Sequence, residues 1–101
     1  MREVNISGNL CVLTVNEYGN DRLAIQAMDK EEGDCYGTLT VNIPEADLAD
    51  NEIFVKDWSE NEPWVSQVLE QCPDIFEDTG RRQRTGFTSA AVWRIKDIKQ
   101  L

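Results

Sequence analysis

The sequence predicts an α+β domain in which an antiparallel sheet of about five or six strands carries one amphipathic helix on one face. Short segments in the first half alternate apolar and polar residues, and one later segment repeats apolar residues at helical spacing. Clusters of Gly, Asn and Asp separate these segments and indicate turns. The chain has 101 residues, which is the size of one domain, so we expect residues 1–101 to share a single core.

The first half of the chain predicts an antiparallel meander of four strands, over residues 3–7, 10–17, 22–28 and 35–43. The fourth strand is the clearest, because every second residue from Gly37 to Ile43 is apolar or glycine, the period of a half-buried strand. The turns contain Gly19-Asn20 and Gly33, residues that tolerate the positive φ of hairpin turns. Pro44 ends the fourth strand of the meander because proline lacks the N–H that strand pairing needs.

The second half predicts a short strand at 53–56, one helix, and a last strand at 88–95 with both faces partly covered. Ser59 or Asn61 is the expected helix cap, and Pro63 favours the later start because proline is tolerated only in the first turn. Pro73 ends the helix, after which Ile75 and Phe76 are expected to return to the core. The expected buried helical stripe consists of Trp64, Val65, Val68, Leu69 and Cys72.

The residue inventory excludes several function classes. The chain contains no histidine, which removes Ser-His-Asp, Cys-His and H-E-x-x-H chemistry, and no catalytic, cofactor-binding or metal-binding residue is predicted. The three cysteines lack C-x-x-C spacing, so we expect free, buried thiols rather than a disulfide framework or a zinc site. Residues 1–10 lack the apolar core of a signal peptide, and no apolar run is long enough for a membrane span, so a cytoplasmic location is expected.

Charge is distributed unevenly along the chain. Residues 1–78 hold 4 basic and 18 acidic residues (net -14), whereas residues 79–101 hold 6 basic residues and Asp97 (net +5), which together give the formal charge of -9. A polyanion is repelled at long range by so acidic a body, so direct binding of duplex DNA is not expected.

The segment TGRRQRTGF, residues 79–87, gathers three arginines between two Thr-Gly pairs and is interpreted as a glycine-hinged loop before the last strand. Its glycine spacing fits neither a Walker loop nor a dinucleotide turn. Three interpretations stay open: an anion site that binds phosphate or carboxylate, arginines paired with acids of the body, or contact with an acidic partner. The predicted anion-binding residues are Arg81, Arg82, Arg84 and Gly86.

The segment from Glu45 to Glu62 carries seven acids against Lys56 alone. It is either a solvated face with helix capping, or a surface whose carboxylates stand where DNA phosphates would and which binds a nucleic-acid-binding protein. Trp58 is either an exposed anchor for that partner or a hydrophobic staple onto the first helical turn. We call the predicted partner-binding residues the acidic surface: Asp47, Asp50, Asp57, Trp58, Glu60 and Glu62.

Three segments together resemble a family of small uncharacterised proteins, a domain of unknown function encoded mostly on phage, plasmid and conjugative elements of gut bacteria. They are GTLTVNIP at 37–44, NEIFVKDWSENE at 51–62, and TGRRQRTGF followed by AAVWRI at 90–95. The resemblance covers residues 35–95, with a weaker match in the N-terminal hairpin. It implies one small domain, no assigned activity, no catalytic residues to transfer, and a mobile-element setting in which accessory proteins often counter host defence.

Taken together, the sequence predicts a non-enzymatic, acidic binding protein of a phage or mobile element. In this hypothesis it modulates or inhibits a host defence protein, in the cytoplasm of the bacterial host, through the acidic surface. The alternative is a sponge that sequesters a phosphate-bearing nucleotide signal through the arginine segment 79–87. A third hypothesis is an accessory protein that forms a homodimer through an exposed sheet edge.

Overall fold

The computed structural model describes residues 2–101, and Met1 lies outside the described residues. The α+β class is confirmed: strands and one α-helix make up the structure, with short 3-10 turns at Ser59–Asn61 and Ile98–Gln100. The elements are β1 (Arg2–Ile6), β2 (Asn9–Glu17), β3 (Leu23–Asp29), β4 (Cys35–Thr38), β5 (Glu52–Val55), α1 (Glu62–Gln71), β6 (Phe76–Thr85) and β7 (Thr88–Ile95).

The strands form two antiparallel sheets, of order β1-β2-β3-β4 and β5-β7-β6, where the sequence predicted one sheet of five or six strands. Residues 39–41 join the two sheets. The Leu39 N–H donates to the Ile25 carbonyl of β3 at 2.8 Å, and the Val41 N–H donates to the Phe54 carbonyl of β5 at 3.1 Å. The strands therefore form one bent run that has β1 at one end and β6 at the other.

The predicted strand 35–43 is shorter than expected, because the chain crosses from β3 to β5 after Thr38. This crossing buries Thr40, which the alternation placed on the polar side. Its hydroxyl accepts the Ile25 N–H at 3.0 Å and lies 3.0 Å from the Tyr18 hydroxyl. The buried hydroxyl thus has partners at the point where the two sheets meet.

The segment 79–87 is not a loop, which corrects the sequence interpretation. Residues up to Thr85 belong to β6, which pairs with β7 along its length except for a register shift between Asp78 and Arg82. Gly80 lies in this bulge with φ 80°, and Gly86 in the hairpin turn has φ 61°. The prediction failed because β6 is an edge strand with much of its surface exposed, so it lacks the apolar alternation that reveals a half-buried strand.

The helix begins at Glu62 with Pro63 in its first turn, as the later predicted start requires. Asn61 occupies the cap position, but neither it nor Ser59 makes a side-chain capping bond. The Asn61 side chain instead donates to the Thr38 carbonyl at 2.7 Å, which ties the start of the helix to β4. In the predicted stripe Leu69 is half-buried, and the other members, Trp64, Val65, Val68 and Cys72, are buried.

Two glutamine side chains of α1 bond the free edge of β1. The Gln71 amide accepts the Asn5 N–H at 2.8 Å and donates to the Asn5 carbonyl at 2.6 Å. One turn earlier, the Gln67 amide accepts the Ser7 N–H at 2.7 Å. These amides stand in for a neighbouring strand, so an edge that would otherwise be open to another chain is closed by the helix.

The main core lies between α1 and the inner face of the bent sheet, the face that the helix covers. Trp64 and Trp93 both belong to it, as predicted, and so do Ile75 and Phe76. A second cluster lies on the outer face of the three-stranded sheet under the loop that follows Pro44, and Trp58 packs against it. The buried members of this outer cluster are Ile43, Ala46, Phe54, Ala90 and Val92.

Gly37 of β4 leaves room for the indole of Trp64. A Cβ at position 37 would lie 2.7 Å from Cζ2 of Trp64, which is inside the contact distance of carbon atoms. Trp64 is 4% exposed and also meets Tyr36 edge to face, with 5.9 Å between the ring centroids. The ring therefore has little freedom to move away, and the helix sits against β4 only because residue 37 has no side chain.

We expect Gly37→Ala to lower the free energy of unfolding by about 1–3 kcal/mol, because overpacking forces the indole or the strand to shift. Urea unfolding followed by tryptophan fluorescence measures this change. Gly19→Ala is the matched control, since a Cβ there meets no atom within 4 Å. Equal midpoints for the two variants would contradict the proposed contact.

Candidate functional site

The structure divides the predicted acidic surface into two parts. Asp47 and Asp50 are exposed on the loop before β5, next to the residues of that loop that cover the outer cluster. Glu62 lies at the start of α1, where it lines a cavity of about 240 Å³ together with Leu69 and Trp93 of the inner face. Asp47 and Asp50 therefore lie apart from Glu62, and the carboxylates that sequence reasoning grouped by their nearness along the chain do not form one patch.

Asp57 is engaged within the protein. Its two carboxylate oxygens accept hydrogen bonds from the two terminal nitrogens of Arg82, at 2.9 Å each, which makes a bidentate pair. The same guanidinium donates to the Ser89 hydroxyl and to the Ser89 carbonyl, both at 2.7 Å. The hydrogen bonds to Asp57 raise the pKa of Arg82 above its ordinary value. Arg82 thus ties β6 to β7 and fastens the hairpin to the segment after β5.

Arg81 is engaged as well, on the Glu52 carboxylate of β5. The other carboxylate oxygen of Glu52 accepts the Ala49 N–H at 3.1 Å, and the Glu52 side chain is only 11% exposed. Glu52 therefore links the loop before β5 to the far strand of the same sheet. These contacts agree with the interpretation in which the arginines pair with acids of the body.

Arg84 differs from its two neighbours, because it forms no ion pair with any of residues 2–101. Its strand neighbour Thr85 and Gly86 of the turn follow directly, and Phe87 stands at the tip of the hairpin with its side chain fully exposed. Of the three arginines predicted to bind an anion, only Arg84 is thus uncommitted.

Glu60 is paired at 3.2 Å with Lys56, which lies four residues earlier in the segment after β5. A hydrogen bond from its own backbone N–H and this lysine lower the pKa of Glu60 below its ordinary value. Asp57 and Glu60 therefore already have internal partners, and Asp47, Asp50 and Glu62 are the acids of the predicted surface without one among residues 2–101.

Trp58 is half-buried, which differs from both sequence interpretations. It packs on the outer cluster with Val41 and Leu48, on the face away from the first helical turn. It is therefore not a staple onto α1, and only part of its ring remains for a partner.

The sequence analysis did not predict two cavities that the structure contains. One, of about 370 Å³, lies where α1 meets β4 and is lined by Tyr36, Lys56 and Asn61, among others. The other, of about 570 Å³, lies at the C-terminal end of β7. Residues far apart in sequence form each cavity, so spacing gave no signal. Only the half-exposed side chains of Tyr36 and Ile98 mark the two places.

The expectation that all three cysteines are buried is wrong for Cys35. This residue begins β4 directly after a polar turn and is exposed. Cys11 and Cys72 are buried, and burial raises the pKa of each thiol above its ordinary value. Only one of the three thiols is therefore open to reagents in the folded protein.

No family model, curated protein or solved structure matches the chain. The resemblance to a family of mobile-element proteins consequently stays a prediction. Among residues 2–101, no helix has the length and apolar character of a membrane span, and no three metal-ligating side chains are placed to hold one ion.

We expect Asp57→Asn to destabilise the protein by about 1 kcal/mol, because it weakens a charge-assisted pair that fastens the hairpin. A double-mutant cycle with Arg82→Gln, measured by urea unfolding, reports the coupling. Asp47→Asn is the control, since Asp47 is exposed and has no ion-pair partner among the described residues. Additive effects of the two substitutions would contradict the bracing role.

We expect one thiol per chain to react rapidly with Ellman's reagent in the native protein, and the other two to react only on unfolding. Cys35→Ser should abolish the rapid phase while leaving the slow phase of Cys11 and Cys72 in place. Rapid reaction of two or three thiols in the native protein would contradict the burial of Cys11 and Cys72.

Proposed function

We propose that this protein is a non-enzymatic binding protein of a phage or mobile element that engages a basic, nucleic-acid-binding protein of the bacterial host. Binding occurs in the host cytoplasm and modulates or inhibits that partner, in the setting of counter-defence. The contact uses the acids of the acidic surface that have no ion-pair partner, in two patches: Asp47 and Asp50 on the loop before β5, and Glu62 at the start of α1.

One observation carries this proposal. The six ion pairs use six of the nineteen acids, so thirteen acids have no ion-pair partner among residues 2–101. Such an excess of carboxylates repels polyanions at long range, and it favours fast association with a positively charged surface. These unpaired acids do not stabilise the fold, because like charges repel one another in a compact state.

The alternative of a nucleotide sponge has less support. Arg81 and Arg82 would have to leave Glu52 and Asp57 before they could bind a phosphate. Only Arg84 is available without such an exchange, and a single exposed arginine is a weak phosphate site. We therefore favour the acidic surface over the arginine segment.

Affinity capture from a bacterial lysate tests the proposal. The immobilised wild-type chain is compared with a triple variant that combines Asp47→Asn, Asp50→Asn and Glu62→Gln. We expect the triple variant to retain about tenfold less of a nucleic-acid-binding protein, since each lost charge weakens electrostatic attraction. Duplex DNA added to the lysate should displace the same protein from the wild-type chain.

The matched control is Glu31→Gln, Glu32→Gln, Asp34→Asn, which removes equal charge from the exposed turn between β3 and β4. It should leave capture unchanged if position matters and not merely net charge. Equal retention by wild type and triple variant, or a captured partner that DNA does not displace, would sink the proposal.

A further inference from the structure

Two large apolar side chains are left exposed at opposite ends of β7. Phe87 precedes the strand at the hairpin tip with an exposure of 107%, and Ile98 follows the strand with an exposure of 50%. The strand between them has eight residues, which at about 3.3 Å per residue separates its ends by roughly 23 Å. One end of the molecule thus carries an apolar projection, and the other end carries the cavity of about 570 Å³.

The projection is the hairpin tip, formed by Phe87 and the uncommitted Arg84. Gly86 has φ 61°, which turns the chain so that Phe87 points away from the body. Arg82, bonded to Asp57 and Ser89, holds the hairpin against the body. The aromatic side chain is therefore presented on a braced support, and ordering it on binding takes less conformational entropy than ordering a flexible loop would.

The cavity at the C-terminal end of β7 has apolar walls and a charged rim. Leu23, Ile95 and Ile98 supply the apolar surface. Three carboxylates and two lysines also line it: Asp21, Asp50, Asp97, Lys96 and Lys99. Lys96 donates to the Pro73 carbonyl at 2.7 Å, so one of the two lysines is already hydrogen-bonded within the protein. With three carboxylates against two lysines the lining has a net charge of -1, which favours a positively charged group.

We propose that the chain self-associates head to tail, with Phe87 of one copy inserted into this cavity of the next and Arg84 facing its acidic rim. A second copy fits the tip in both respects on which docking depends, because an apolar side chain meets apolar walls and a positive charge meets carboxylates. This inference does not rest on the proposed function.

The two contact sites are different surfaces at opposite ends of one molecule, so the contact is heterologous. Such contacts do not close after two copies; they continue into a ring or an open chain. Asp50 belongs both to this rim and to the acidic surface, so self-association and partner binding compete for it.

Other occupants of the tip fit less well. A single phenylalanine on a body of net charge -9 is a poor anchor in an anionic membrane. Single-stranded nucleic acid needs a positive groove beside its stacking aromatic, and only Arg84 is free here. Both occupants remain outcomes that the experiment separates.

Sedimentation of the purified chain from about 10 µM to about 1 mM tests the proposal, a range suited to a contact made by one anchor. We expect the mean mass of the wild type to rise with concentration without stopping at a dimer. Phe87→Ser and Ile98→Ser should each remain monomeric, and Leu10→Ser, which removes another exposed apolar side chain, should behave as wild type.

Mixing the two variants is the decisive measurement. Phe87→Ser keeps the cavity and Ile98→Ser keeps the projection, so an equimolar mixture should form a pair that stops at twice the monomer mass. Both positions are exposed, and circular dichroism checks that each variant folds.

A wild-type chain that stays monomeric throughout, or a plateau at a dimer, would overturn the inference. So would continued association of Phe87→Ser, or a mixture that forms no pair. Phe87-dependent binding to phosphatidylcholine vesicles or to oligothymidine, without self-association, would assign the tip to a membrane or to nucleic acid instead.

Discussion

The packing of α1 into the bend of the strand run is the constraint on which the rest of the structure depends. The helix contacts both end strands, β1 and β6, so the sheet can curve only as far as the helix allows. Its indole at position 64 reaches β4 because residue 37 is glycine. The inner cluster, with residues of both sheets and the helix, forms only when these contacts coexist. A small domain with one core has no second cluster large enough to fold without it.

Charge acts within this frame in two ways. Some carboxylates fasten the hairpin of β6 and β7 to the body, as Asp57 does for Arg82 and Glu52 for Arg81. Others, such as Asp47, have no partner among the described residues and remain on the surface. Acids in one segment of the sequence therefore have different roles, and a substitution at Asp57 would change stability as well as any binding. The unpartnered acids are the cleaner probes of function.

The sequence predicted most elements because burial of one or both faces leaves a recognisable pattern of apolar residues. β7 was placed at its observed bounds, since its apolar and small residues signal a strand covered on both faces. β6 was missed because an exposed edge strand carries no such pattern. The side chain of Asn61 was assigned to capping, since spacing alone could not reveal the Thr38 carbonyl that it binds. The split of the acidic surface and the cavity at Ile98 depend on which strands become neighbours, and that information lies in topology rather than in local pattern.

The two glutamines that bond the edge of β1 set the position of α1 along that strand. Gln67 and Gln71 are four residues apart, a rise of about 6 Å along a helix. Their partners are Asn5, within β1, and Ser7, the first residue after the strand, so the two bonded positions are two residues apart along the chain. The helix is therefore bonded at two points, one within β1 and one in the turn that follows it. Sliding α1 by one residue would put both amides out of step, and the spacing of two glutamines thus fixes where the helix stops along the edge.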